Sequence, residues 1–358
     1  MIDRTSYEPL YRQIRRDIEQ QILDGRIAIG DKLMSETEMI LHYGVGRVTV
    51  RNALSELVAS GCLRKEQGAG TFCAALPRQE ERKNIDVLLN TGDTWFMPYF
   101  LSGISRVFEG ERYNLILHDT QNSMDSITRQ LNEILERGTD GVILQPCTEL
   151  REMPESFKVA LEHCIRQKVP VVALDGRLEG KQIPYIINDD IAGGKLVTQH
   201  LIGLGHKRIL GLFPKRYRDA DLRAAGYREA LEKSQLPVHL LDADITDGVR
   251  LVDYIRKEGI TAMVCYNDYL AVKCYHTFHK QGIRPGQDIC ITGFDDTELS
   301  RTSLPRITTA THPKDRMGQL AAQYILDRLS GNADTGFTYV YQPDLKIRES
   351  TTGYTGTL

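Results

Sequence analysis

The sequence predicts an α/β protein in two parts: a small helical head closed by a β-hairpin, and a large body of two doubly wound subdomains. Three observations predict it. Apolar residues at helical spacing fill the first 75 residues, and a glycine-rich hairpin pattern closes them. From Ile85 onward, near-continuous apolar strands alternate with amphipathic helices, which is the pattern of parallel sheets covered on both faces. Between the two, Leu76 to Lys83 (LPRQEERK) is polar and charged, a linker by composition. The expected organisation is a head over 1–75, a linker over 76–83 and a body over 84–358.

In the head, Leu10, Ile14, Ile18 and Ile22 recur every four residues and predict a first helix from about Pro9 to Asp24. Arg12, Arg15 and Arg16 lie off that stripe and read as a solvated face. Ser35 with Glu38 three residues on is a capping box, opening a second helix that runs to Tyr43. After the turn Gly44-Val45-Gly46, a third helix places Val50, Ala53, Leu54, Leu57 and Val58 on one apolar stripe. Val48, Asn52 and Ser55 lie opposite, flanked by Thr49 and Arg51, with Arg47 at the helix start. Gly61 stops it. Two strand-like pieces follow, Cys62–Lys65 and Thr71–Cys73, around the tip Gln67-Gly68-Ala69-Gly70. A helix with a polar, arginine-bearing face followed at once by a tight hairpin is what a winged helix-turn-helix needs. The N-terminal half of the helix enters the major groove, and a glycine tip brings backbone N–H groups against phosphate or the minor groove. Arg47, Val48, Thr49 and Arg51 are the candidate DNA contacts on the helix; Gln67, Gly68 and Gly70 are those on the wing.

Charge distribution sharpens this. The net charge is −3 over 358 residues, and the head itself balances 10 Lys/Arg against 10 Asp/Glu to Ala75. From Gly46 to Lys65, however, Arg47, Arg51, Arg64 and Lys65 face only Glu56. A neutral domain with one basic face suits a sequence-specific binder. The amino end, MIDRTSYEPLYRQ, is charged and has no apolar run, and no stretch approaches a membrane span; a cytoplasmic protein with no membrane partner is expected. Seven cysteines without CxxC spacing predict neither a disulfide framework nor a zinc site, and Cys62 and Cys73 read as small buried hydrophobes. GxxxxGK[ST], GxGxxG and HExxH are all missing, so a sugar-modifying enzyme is the remote reading and no cofactor or metal is expected.

In the body, IDVLLN, YNLILHD, DGVILQP, VPVVALD, YIIND, RILGLF, TAMVCYN and ICITGFD read as strands. In open α/β sheets ligands sit beyond the carboxyl ends of strands. Those ends carry Asn90 to Trp95, Asp119 to Asn122, Gln145, Asp175, Asn188 to Asp190, Asn267-Asp268 and Asp295-Asp296. Carboxylates and amides recurring there, beside a ring such as Trp95, suit an uncharged, hydroxyl-rich ligand. An Asp that follows a strand also commonly caps the next helix, so each residue alone reads either way. A sugar phosphate would instead call on Arg177, Lys215, Arg216 or Arg218.

Two resemblances run through these motifs. Thr5 to Cys73 resembles the GntR-family head from end to end, in PLYRQIRRDIEQQILDGRI, GDKL, VGRVTVRNAL and GAGTF. Met34 stands where that family usually has proline, and Gly46 where a serine usually caps the recognition helix. From about Asn84 to Gly353 the chain resembles the LacI/GalR effector domain, itself similar to periplasmic sugar-binding proteins. The matching pieces are VPVVALD, NDDIAGGKLVTQHLIGLGHKRI, LRAAGYREAL, AMVCYNDYLAVKC, ITGFDD and KIRESTTG. The resemblance implies ligand contacts at Asp175, Arg223, Asn267 and Asp295, with Asp189 in a crossover segment. Arg223 would donate in bidentate fashion to vicinal hydroxyls opposite Asp295. His206 in GLGHKRI reads as structural, and His312 is open between hinge and ligand contact. That family's own hinge helix has no counterpart in LPRQEERK. The fusion implies a homodimeric, sugar-released repressor of operator DNA. FMPYFLSGI, NDDIAGGK, CYNDYLAVK and THPKDRMGQLAAQYILD resemble members that respond to L-arabinose. Another sugar, a sugar phosphate, or activation in place of repression remain the alternatives.

Overall fold

The computed structural model describes residues 9–76, 82–92, 96–108, 113–149, 153–178, 183–331 and 337–355. The chain forms two compact units, one amino-terminal to Lys83 and one from Lys83 onward.

The head packs three helices against a hairpin. Helix α1 (Leu10–Leu23) buries Ile14, Ile18 and Ile22. Helix α2 (Glu36–Tyr43) starts in a complete capping box, with the Glu38 N–H donating to Ser35 Oγ (3.3 Å) and the Ser35 N–H to Glu38 Oε2 (2.7 Å). Gly44, at φ 63°, closes it in the left-handed conformation that glycine tolerates best. Helix α3 (Arg47–Ala59) buries Val50, Ala53, Leu54 and Leu57; its N-cap, Gly46, has no side chain to offer. Val58 is a correction: it is 38% exposed, because one step past Leu57 turns it about 100° off the stripe. Strands β1 (Leu63–Glu66) and β2 (Gly70–Cys73) pair antiparallel, one residue offset from the expected pieces. The segment before α2 adds an edge to them through Lys32 opposite Phe72 and the Leu33 N–H bonded to Thr71 O (2.9 Å). Cys62 and Cys73 are buried in this core.

The body follows the strand-helix alternation. In chain order its elements are β3 (Lys83–Leu89), α4 (Met97–Phe108), β4 (Tyr113–Asp119), α5 (Met124–Arg137), β5 (Gly141–Leu144), α6 (Glu155–Arg166), β6 (Val171–Leu174) and β7 (Tyr185–Asn188). Then come α7 (Asp190–Gly203), β8 (Ile209–Phe213), α8 (Arg218–Lys233), β9 (His239–Asp242), α9 (Gly248–Glu258), β10 (Ala262–Cys265), α10 (Asp268–Lys280), β11 (Cys290–Asp295) and α11 (Glu298–Thr302). Last are β12 (Thr308–Thr311), α12 (Lys314–Leu329), β13 (Thr338–Tyr341) and β14 (Leu345–Lys346). One six-stranded sheet has the order β13-β7-β6-β5-β3-β4 and the other β14-β12-β11-β10-β8-β9. The described pairings in both are parallel except β12 with β14. Four strands were not expected from the sequence. β12 reads TTAT, and its burial comes from the flanking strands rather than from its own residues.

The chain crosses between the subdomains after β7, after β12 and after β13, and the three crossings are stitched to each other. The Asp189 N–H donates to Tyr341 O (2.9 Å), the Thr311 N–H to Asp344 O (2.8 Å), and the Asp344 N–H to Thr311 Oγ1 (2.8 Å). Helices α7 and α8 approach closely enough that a Cβ on Gly194 would lie 2.1 Å from Arg223 O. That glycine contact brings the start of α7 against Arg223. His206, buried, bonds Thr261 Oγ1 through Nδ1 (2.9 Å) and serves the fold. Among the described residues, no helix is long and apolar enough to cross a membrane.

Candidate functional site

The carboxyl ends of both sheets enclose a cavity of about 460 Å³ between the subdomains. From the first subdomain come Asn90, Phe96, Asn122, Gln145 and Asp175; from the second, Asp190, Tyr217, Asp219, Arg223, Tyr266, Asn267 and Tyr269; and from the second crossing, His312. All but Arg223, which lies in the second turn of α8, stand where an element ends or begins, so the sheets set their positions.

Arg223 on α8 is the centre of the arrangement. It is 2% exposed, and each of its three nitrogens meets an acceptor, Nε on Asp190 Oδ1 (2.8 Å), Nη1 on Tyr266 O (2.9 Å) and Nη2 on Asp295 Oδ1 (3.4 Å). It lies over the rings of Phe294 (3.7 Å) and Tyr266 (4.8 Å). Asp219, one turn earlier, sits 3.7 Å from Nη2 and accepts the Tyr266 hydroxyl at 2.5 Å. His312 approaches Asp175 of the first subdomain at 2.9 Å through Nε2 and Asp295 of the second at 3.3 Å through Nδ1. The first contact lacks the alignment of a hydrogen bond at Nε2 and is an ion pair when the imidazole is protonated. Lys314 Nζ donates to Asp295 O (3.0 Å).

Burial and charge compete here. Burial raises Asp190 to about 6 against the pull of Arg223, and raises Asp219 in the same way. Burial also disfavours the Asp295 carboxylate, but Arg223 and Lys314 outweigh it and hold Asp295 well below the usual carboxylate range. His312 is raised: burial works against its imidazolium, and Asp175 overcomes it. Asp268, fully buried beneath the cavity, is raised to about 7 by burial and by Asp295, while accepting from Thr297 N (2.8 Å) and Thr309 Oγ1 (2.7 Å). The wall therefore presents the acids Glu149, Asp175, Asp190 and Asp219 against Arg223 and His312. Such a surface offers fixed acceptors and donors to hydroxyls and repels a phosphate.

The expected ligand residues fall into three groups. Gln145, Asp175, Arg223 and Asn267 line the cavity, Asn267 also capping α10 by accepting the Leu270 N–H (2.9 Å). Two depart from expectation. Asp189 caps α7 through the Ala192 N–H (2.9 Å) and lines the adjoining cavity of about 400 Å³, whereas its neighbour Asp190 lines both. Asp295 is 3% exposed and stands beside Arg223 as its partner, not across the cavity from it. Trp95 lies outside the described residues. The sequence reading missed Tyr217, Asp219, Tyr266 and Tyr269. The Asp219–Arg223 spacing of four on one helix was the signal available. Of the cations considered for a phosphate, Arg177 and Arg218 line the adjoining cavity of about 400 Å³, Arg177 lying over Tyr185 (4.9 Å), and Arg216 pairs with Asp244 at 3.4 Å.

In the head, Arg47, Val48 and Arg51 are exposed on α3 and Thr49 is half-buried, while Gln67 and Gly68 stand out at the hairpin tip. Gly70, at φ 126°, passes under Lys32, whose Cε would lie 2.8 Å from a Cβ there. Glu36 on α2 holds Arg51 Nε (2.9 Å) and Lys65 Nζ (3.3 Å), tying helix to wing; among the described residues Arg47 has no ion-pair partner.

Comparison with known proteins agrees with this division. Residues 10–73 match the family described as bacterial regulatory proteins, gntR family, and residues 198–351 match a periplasmic binding protein-like domain. The chain is similar to the arabinose metabolism transcriptional repressor of Halalkalibacterium halodurans, 30% identical over 96% of this chain and 97% of that one. The Geobacillus stearothermophilus protein of the same name is also 30% identical, covering 96% of this chain and 98% of its own. Among solved structures, a LacI family transcriptional regulator from Enterococcus faecium with bound ribose superposes at a TM-score of 0.64. It is 25% identical, over 75% of this chain and 98% of that one.

Proposed function

The chain belongs to the transcriptional repressors that join a GntR-type DNA-binding head to a periplasmic-binding-protein-like, sugar-responsive body, and on that premise we propose that its effector is free L-arabinose. It is a regulator and not an enzyme. The observation that carries the effector reading is the acid-lined, ring-flanked cavity of about 460 Å³ around Arg223. Its volume suits a small ligand, and its carboxylates favour a neutral polyol over a phosphorylated one. The names of the two full-length relatives supply the pentose.

In this reading Gln145 and Asp175 take hydroxyls from the first subdomain, and Arg223, Asp190 and Asn267 from the second. A sugar held by both sides closes the cleft about the three stitched crossings. Two copies of the chain form a homodimer on a pseudo-palindromic operator. Arg47, Val48, Thr49 and Arg51 contact the major groove, and Gln67, Gly68 and Gly70 the flanking backbone. Cleft closure changes the geometry of the dimer, and operator affinity falls by a coupling of about 1–3 kcal/mol.

A gel shift on DNA from upstream of this protein's own coding sequence tests it, with millimolar L-arabinose against xylose, galactose and ribose. Release by L-arabinose alone is expected. Release by another of these sugars, or only by a sugar phosphate, overturns the effector assignment.

A further inference from the structure

His312 stands where the crossings and the two walls of the cleft meet. The residue before it, Thr311, accepts from Asn188 Nδ2 at the end of β7 (3.4 Å, at O) and from the Asp344 N–H of the third crossing (2.8 Å, at Oγ1). On the other side, the Lys314 N–H donates back to His312 O (2.9 Å). The backbone at His312 is thus pinned by chain from each crossing. The rings of Phe96 and Phe100 flank its imidazole edge-on, with centroids 5.8 and 6.5 Å away. Its two nitrogens face Asp175, after β6, and Asp295, at the end of β11. Both aspartates have left-handed backbone, at φ 61° and 101°. Residues with a Cβ seldom adopt that region, and where they do the surrounding fold holds them there. Asp295 Oδ1, which His312 Nδ1 approaches, is also the atom that Arg223 Nη2 meets. One chain of charge therefore runs through Asp175, His312, Asp295 and Arg223, from a proposed sugar contact on one subdomain to a proposed sugar contact on the other.

The remaining charged groups around the ring oppose one another. Lys314, 3.9 Å from Asp295 Oδ1, disfavours a charge on the imidazole, and Asp190 on α7 favours it. Asp219 on α8 and Asp268 on α10 act on the Asp175 and Asp295 side of the cluster. Asp175 belongs to the first subdomain and Asp295 to the second, so only a closed cleft keeps both on one imidazole. Opening leaves a buried imidazolium with one carboxylate fewer against burial and Lys314.

We infer that His312 is a proton-carrying latch: its imidazolium ties Asp175 to Asp295 across the closed cleft, and sugar, by closing the cleft, draws a proton from the buffer onto that ring. The inference rests on the sugar reading above and adds its regulation; His312 acts through the two carboxylates and is a positioning residue. Burial works against the charged ring and Asp175 overcomes it, so parting from Asp175 loosens the proton. A ligand that favours the protonated, closed form binds more tightly in acid. Its affinity falls as pH rises through the imidazole's range, from the ordinary value of 6.5 upward.

Calorimetry on the full chain would titrate L-arabinose near neutral pH in PIPES and in Tris, whose heats of ionisation differ, and then across about pH 6 to 8.5. The two buffers should report uptake of a fraction of a proton per sugar bound, and affinity should fall about fivefold from the acid end to the alkaline end. His312→Gln, a neutral side chain that still donates and accepts, should abolish the uptake and level the pH profile. Asp268→Asn, which removes another buried group titrating near neutrality, should keep both. No uptake by the parent, or a release, overturns the inference whatever the variants do, and leaves the sugar reading intact. A pH profile that survives His312→Gln, or vanishes in Asp268→Asn, overturns it by sending the proton to a different group. If L-arabinose binds at no pH, the sugar reading itself fails and takes this one with it.

Discussion

In the head, the arginines of α3 stand at the surface, and Arg51 meets an acid that is itself partly open to solvent. In the body, Arg223 is 2% exposed and is surrounded by Asp190, Asp219 and Asp295. Under the proposed function, the difference follows from the partners. DNA brings its own dense charge and displaces counterions, so a cation facing it is best left solvated until contact. A neutral sugar brings none, so the cleft must hold its charges in mutual balance and offer only their remaining hydrogen-bonding capacity. Exposed charge is cheap to change for the fold and costly for recognition; buried charge is costly for both.

The largest effect should come from breaking the buried balance. Arg223→Met leaves three carboxylates without their shared cation, and the body should lose about 3–5 kcal/mol of stability, read by urea denaturation. A loss of under about 1 kcal/mol would mean that the cluster is already neutralised by protonation. The exposed counterpart is Arg51→Ala. Its ion pair with Glu36 is a surface one, so stability should hold within about 1 kcal/mol. Operator affinity in anisotropy titrations should fall about tenfold or more, with sugar binding intact. Operator binding retained within about threefold would remove α3 from the DNA interface.

A pH series sharpens the same contrast. Asp190, at about 6, Asp268, at about 7, and His312, also raised, each hold a proton more tightly folded than unfolded. Their contribution is full below their unfolded values and is lost as pH rises through the folded ones, so Asp190 and Asp268 should make body stability decline between about pH 4 and 7, and His312 should extend the decline above its ordinary value of 6.5. Asp295, lowered, acts with opposite sign and only in more acid solution. Asp268→Asn should flatten the decline, whereas a slope equal to the parent's would remove Asp268 from it. The smallest effect belongs to the head. Gly46 sits at φ −72° and ψ 157° with open space around a built Cβ, so Gly46→Ser should supply the missing cap. A gain of a few tenths of a kcal/mol in thermal melts is expected.

How legible each part is in the sequence follows the same line. The head's features are local. Ser35 and Glu38 lie within one turn, and the candidate DNA contacts of α3 lie within five residues, so helical period alone exposes them. The body's sheets were legible wherever a strand is a run of apolar residues. β12, with three threonines in TTAT, was not, because its neighbours bury it. The cleft was legible only as a set of strand ends. Which side chain faces inward depends on where each helix starts: α7 begins so that Asp189 caps and Asp190 points to the cavity. Depth was equally invisible. Asp295 lies one layer behind Arg223, and His312 reaches both subdomains from a crossing with no periodic signature.

The central claim is that a sugar in the cleft and an operator on the head oppose each other, and reciprocal linkage tests it most directly. L-Arabinose affinity would be measured by calorimetry on the full chain, free and then saturated with operator duplex. The account predicts that operator weakens arabinose binding by the same factor by which arabinose weakens operator binding, about 5- to 150-fold. Equal arabinose affinity with and without operator would contradict it.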